Sequence, residues 1–160
     1  MTPTTGPERA ILEGMLDDNR ESLIACVEGL SDEDARRRLV PSLTSPLSLL
    51  RHVAAVERSW FQRVLAGLPE EQRDGYAMGD EPSWTVTDAD TVSSAVADLR
   101  QAVARSKELA ARRDLDTEVV HQRIGTVSLR WIYLHMIEEV ARHAGHADIL
   151  REQIDGRKAT

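Results

Sequence analysis

Apolar residues recur along this chain at intervals of three and four, over four long stretches set apart by polar segments that carry glycine and proline. That spacing lines one side of an α-helix and predicts four long amphipathic helices. The first runs from about Pro7 to Leu30, with Ile11, Leu12, Met15, Leu16, Leu23, Ile24 and Val27 as its stripe and Gly29 near its end. A short helix is expected over SDEDARRR, residues 31–38, where acids lead, arginines follow and Ser31 can cap. Ser45 as N-cap and Pro46 at the first helical position start the second long helix, which should run to about Ala66 and close at Gly67 and Pro69. Its inward stripe is Leu49, His52, Val53, Val56 and Trp60.

Residues 67–90 read as a long loop rich in glycine and proline. It also carries Tyr76, Met78 and Trp84, which suits a cover packed over one end of a helical bundle. The third long helix follows caps within Asp88–Thr91, turns Val92, Val96, Leu99 and Val103 inward and ends near Arg113. A connector, DLDTEVVHQRIGTVS, leads to the last helix, from about Ser128 to Gly156. No segment alternates long enough to predict a strand. The fold class expected is therefore all-α: a four-helix bundle with one additional short helix and a long loop between the second and third long helices, forming a single domain over residues 1–160.

Composition narrows the setting. One cysteine, Cys26, excludes an internal disulfide and reads as a small core residue in a reducing compartment. The first ten residues lack a signal-peptide pattern and no apolar run approaches a membrane span, so the cytoplasm is expected. A net charge of −7 argues against a nucleic-acid partner, because phosphate binding needs a basic face.

Three of the five histidines lie on the last helix. With each residue advancing the helix by about 100°, His135, Glu139, His143 and His146 share one sector, beside an apolar sector of Tyr133, Met136, Ile137, Val140, Ala144 and Ala147. Polar groups at the edge of a core need partners, from hydrogen bonds or from a metal ion. His135 and His143 are separated by roughly 12 Å of rise, too far to share an ion. The helix can offer one pair: His135 with Glu139, Glu139 with His143, or His143 with His146. His52 is the natural third ligand from the second helix. A lone inward histidine is more often hydrogen-bonded than ligating, and a Glu/His pair four apart is more often a surface contact. A ferritin-like di-iron site is a poor fit, since neither Glu138 nor Glu139 has a histidine three residues on. His121 in the connector is expected to be exposed, and Trp60, Trp84 and Trp131 to belong to the core or its cover.

SPLSLLRHVAAVERSWF (residues 45–61) resembles the first signature of the DinB-like superfamily, a helix bearing histidine, then Glu57 five residues on, then aromatics. RWIYLHMIEEVARHAGHADILREQIDG (residues 130–156) resembles the second, in the branch related to mycothiol-dependent maleylpyruvate isomerase and thiol S-transferases, and PSWTVTDADTV extends the similarity. The resemblance implies a metal set of His52, Glu139 and His143, with Glu139 standing where the commonest triad has histidine. It leaves His135 and His146 as partners of a ligand or as pocket residues, with no catalytic group assigned beyond them. It further implies a homodimer and a divalent metal, zinc first, with nickel, iron or manganese compatible. Mycothiol or another small thiol would be the cosubstrate, activated for attack on a small electrophile. The maleylpyruvate isomerases carry a further C-terminal domain without a counterpart here, which weighs against that particular activity. Two rivals stand beside thiol transfer: a non-catalytic metal-binding or stress-response module, and metal-dependent hydrolysis, for which the sequence offers no separate general base.

Overall fold

A computed structural model describes residues 1–159. Its helices are α1 (Glu8–Val27), a one-turn α2 (Asp32–Ala35), α3 (Pro46–Glu57), α4 (Val92–Ala111) and α5 (Leu129–Asp155). The starts are set by hydroxyl caps. Ser45 accepts from the Ser48 N–H while Ser48 Oγ accepts from the Ser45 N–H, and Thr91 with Ser94 repeats the exchange at α4. Ser128 caps α5 through the Trp131 N–H, and Gly156, at φ 77°, closes it in the left-handed conformation. The chain is predominantly helical, as its periodicity predicts.

α1 packs along α5, and α3 along α4. Leu16, Leu23, Leu49, Leu50, Val53, Leu99, Ile132, Met136 and Val140 are fully buried between them. The expected stripe of the second long helix is inward throughout, His52 included. Polar residues also reach this core. The Arg20 guanidinium makes a two-pronged ion pair with the fully buried Glu57, at 2.7 Å on each oxygen, and Ser106 Oγ donates to the same carboxylate at 2.8 Å. Glu57 thereby ties α3 to both α1 and α4.

The second long helix differs from its expected form. After Glu57 the backbone continues as a π-helix over Arg58–Leu65, where the Ala66 N–H reaches back five residues to Phe61 O at 3.1 Å. The run Glu57 to Gln62 is buried without interruption. Its polar members find partners on different sides, Glu57 with Arg20 and Arg58 with Asp74 and Asp98. Apolar spacing could not signal this, because the run is largely polar.

Residues 67–90 form a packed cover containing 3₁₀ turns at Glu70–Gln72 and Glu81–Trp84, the second lying against α3. Asp74 accepts from Arg58 at 2.6 Å and from Gln62 at 2.8 Å, clamping the stretch to the π-helix. A Cβ at Gly75 would stand 2.7 Å from Arg58 Cζ, so this close approach depends on glycine.

The connector corrects the expectation of no strand. β1 (Glu118–His121) and β2 (Gly125–Ser128) pair antiparallel, with Val119 opposite Val127 and His121 opposite Gly125. Each strand has only four residues, and Val120 is 75% exposed, so an alternating apolar face is barely developed. Main-chain bonds hold the hairpin instead, with Leu129 N–H to Thr117 O and Arg130 N–H to Leu115 O at its base. Among the described residues no helix is long and apolar enough to cross a membrane.

Candidate metal centre

α3 delivers His52 inward, midway along its buried stripe, and α5 delivers Glu139 and His143 from successive turns of one face. His52 Nε2 lies 3.3 Å and His143 Nε2 3.0 Å from the same oxygen, Glu139 Oε1. One donor atom from each of the three residues falls within 4.8 Å of the others. Both imidazoles are buried, while Glu139 keeps partial access to solvent. Hydrogen bonds from His143 and then His52 hold the Glu139 carboxyl well below the usual carboxylate range, against the opposing effect of burial. Its second oxygen, Oε2, lies 3.7 Å from the Arg142 guanidinium.

The 3₁₀ turn at Glu81–Trp84 fixes the His52 ring. Ser83 Oγ stands 2.6 Å from Asp80 O and 2.8 Å from His52 Nδ1. A carbonyl oxygen only accepts, so at 2.6 Å the Ser83 proton lies on that contact, and Ser83 in turn accepts from an Nδ1–H of His52. Trp84 stacks on the same ring, centroids 3.9 Å apart and planes 16° from parallel. His52 Nδ1 therefore carries a proton, and Nε2 is aimed at Glu139 Oε1. An imidazole nitrogen facing a carboxylate oxygen calls for a cation between them, either a proton or a metal ion. His143 Nδ1 is buried with no hydrogen-bond partner among the described residues, so its tautomer follows from what Nε2 meets. Two imidazole nitrogens and a carboxylate oxygen are a donor set suited to zinc, and a set of three protein ligands leaves a coordination position open.

The other sequence candidates lie elsewhere. His135 stacks on Trp131 with centroids 5.0 Å apart, and meets the edge of Trp60 at 4.8 Å. His146 is exposed and touches the edge of the His143 ring at 5.4 Å. His121 is corrected from exposed to partly buried, its ring stacked on Trp60 at 4.9 Å. Cys26 is half-buried against the core, and burial together with the Asp148 charge raises its thiol pKa, the opposite of an activated nucleophile. Ser83 is the residue that sequence reasoning left without a role, and Trp84, expected in the core or its cover, stacks on the His52 ring itself. Their only signal is position: a small hydroxyl beside an aromatic in the cover of a buried histidine.

No curated protein matches the chain. The model of the family described as mycothiol-S-transferase does match it, over residues 11–156, a span that takes in α3, the cover and both ligand-bearing turns of α5. That match agrees with the DinB-like resemblance of the two signatures, and the chain belongs to the mycothiol-S-transferase family, a family of transferase enzymes.

Proposed function

We propose that His52 Nε2, the Glu139 carboxylate and His143 Nε2 hold one divalent metal ion, and that the protein is a metal-dependent thiol S-transferase using mycothiol or another small thiol. The observation that carries this reading is the Ser83-fixed His52 ring, whose Nε2 faces a carboxylate oxygen that a second imidazole nitrogen also meets. Zinc suits two imidazoles and a carboxylate best, and nickel, iron and manganese remain compatible with the same donors. When bound, the ion supplies positive charge that lowers the pKa of a thiol at its open position and so raises the thiolate fraction at neutral pH.

The chain's own residues orient that site. Ser83 and Trp84 lock His52, and Arg142 lies beside the outer oxygen of Glu139. The overall reaction is a substitution or addition at carbon. The thiol gives up its proton to water and its sulfur bonds to the electrophilic carbon; in a substitution the leaving group departs with the bonding pair, and in an addition the π pair moves to the neighbouring atom, which takes up a proton. Holding the two reactants together contributes to the rate alongside the thiolate fraction. A reducing cytoplasm is the setting such chemistry requires, and a homodimer is the assembly we expect.

The test supplies metal-loaded and chelated protein with a panel of small thiols and a chromogenic electrophile. Conjugation should need both the metal and a thiol, and should fall to the background rate in His52→Ala. Metal content of one per chain without thiol consumption, and with no thiol-dependent change in the spectrum of the cobalt-substituted protein, would leave a non-catalytic metal-binding module instead.

A further inference from the structure

A cavity of about 420 Å³ lies beside Gly79, between the π-helix, the Met78–Asp80 stretch and the β-hairpin. That volume suits a small organic molecule. Its inner wall includes Gly79, where an added Cβ would stand 3.7 Å from His52 Cε1 and 3.2 Å from Val56 Cγ2. The missing side chain lets the cavity wall approach the His52 ring closely.

Two guanidiniums line this cavity, Arg63 from the π-helix and Arg123 from the hairpin turn. In a chain of net charge −7 most arginines are paired with carboxylates, yet among the described residues neither of these two is. Arg63 donates to Ser59 Oγ at 3.1 Å, and its Nε is buried with no partner. The wall between the two cations is flat and aromatic, formed by Trp60 and the stacked His121. His121 Nδ1 accepts from the Arg123 and Ile124 main-chain N–H groups, which puts the ring proton on Nε2 and leaves that N–H as a further donor. Asp80 also lines the cavity, with Oδ1 accepting from Tyr76 at 2.6 Å, and its single charge leaves the two arginines in excess.

We infer that this cavity binds a planar, carboxylate-bearing small molecule, with Arg63 and Arg123 holding the carboxylate and the Trp60–His121 stack lying against the flat part. Guanidinium forks match carboxylate geometry and stack on aromatic faces, so the residue types suit both halves of such a ligand. Burial, followed by the charges of Arg63, Arg123 and His135, lowers the His121 pKa, consistent with a cationic field around that ring. Assigning this ligand as the electrophile of S-transfer rests on the transferase reading; the binding itself does not.

The test uses benzoate and benzamide, which share a flat ring and differ in charge, titrated against tryptophan fluorescence of the full chain, both metal-loaded and chelated. Benzoate should bind about tenfold more tightly than benzamide, as charge-assisted hydrogen bonds imply. Arg63→Gln and Arg123→Gln should each weaken benzoate about fivefold or more and leave benzamide unchanged. Arg123 lies on an exposed turn, so its variant guards against a loss that only reflects misfolding. Benzoate binding that survives chelation and His52→Ala but falls in both arginine variants supports the cavity even if no thiol is ever transferred. Equal affinity for the two probes, or benzoate binding that disappears on chelation and ignores both arginine substitutions, overturns it; the latter result would place the carboxylate on the metal and keep the metal reading intact.

Discussion

Ser83 Oγ accepts from His52 Nδ1 at 2.8 Å while donating its own proton to Asp80 O at 2.6 Å, so one hydroxyl in the cover fixes the tautomer of a histidine on α3. A ligand histidine held in this way presents a fixed lone pair, and losing the partner typically weakens metal binding by about tenfold or more. Ser83→Ala should therefore retain the fold and bind zinc about tenfold more weakly in competition with a chromophoric chelator. Unchanged affinity would mean that Trp84 stacking alone positions the ring.

Metal binding to the native state alone must also appear as stability. With free metal at about a hundred times Kd, the expected gain is about 2.7 kcal/mol. Chelation should lower the Tm of the wild type and leave that of Glu139→Ala/His143→Ala unchanged, as read by calorimetry. Equal responses would remove the ligand assignment.

The Arg20–Glu57 pair tests a different part of the bundle. Glu57 is fully buried, and Arg20 supplies its two-pronged partner. Arg20→Met leaves a carboxylate in the core with Ser106 as its remaining hydrogen-bond donor, a loss of about 3–5 kcal/mol. Arg20→Met/Glu57→Leu should recover most of that, because the pair repays little beyond its own desolvation. Urea denaturation of the three proteins measures both statements.

Periodicity exposed the helices because their stripes are apolar and recur at 3.6 residues, and even the polar His52 could be placed from Leu49, Val53 and Val56 around it. The last helix was harder. Its sector grouped His135 with Glu139, His143 and His146, but a helix face cannot say which neighbour from another element arrives at each turn. Trp60 and Trp131 take His135, and His52 meets Glu139. Spacing left three ligand pairs open, and the family resemblance named the one whose donors the fold brings together. The hairpin and the π-helix were invisible for a shared reason: main-chain bonds and buried polar residues define them, and apolar pattern records neither. Ser83 was hidden because its role comes from a tertiary contact across residues far apart in sequence.

Acid should weaken the clamp between the cover and the π-helix. Partial burial pushes the Asp74 pKa upward, but hydrogen bonds from Gln62 and Arg58, together with the Arg58 charge, hold it below the ordinary value. A depressed carboxyl contributes stability that is present above its unfolded pKa, about 3.9, and is lost as pH falls through the lower folded value. The stability difference between wild type and Asp74→Asn should thus be largest above about pH 5 and shrink below about pH 4. A difference that stays constant down to about pH 2 would show that Asp74 contributes through its shape and hydrogen bonds rather than its charge.

Gly79 offers the most direct link between packing and proposed function. Its φ is ordinary, so alanine meets no backbone strain there, only the 3.2 Å contact with Val56 Cγ2 and the 3.7 Å contact with His52 Cε1. Val56 is buried and stiff at χ1, so it yields little, and overpacking should cost about 1 kcal/mol. The added methyl narrows the inner end of the cavity beside His52 without touching a metal donor atom. Gly79→Ala should consequently keep one metal per chain while raising KM for the electrophile several-fold, with kcat reduced less. Loss of metal would instead show that the methyl displaces the His52 ring, and unchanged kinetics with full metal content would show that the electrophile approaches the centre from another side.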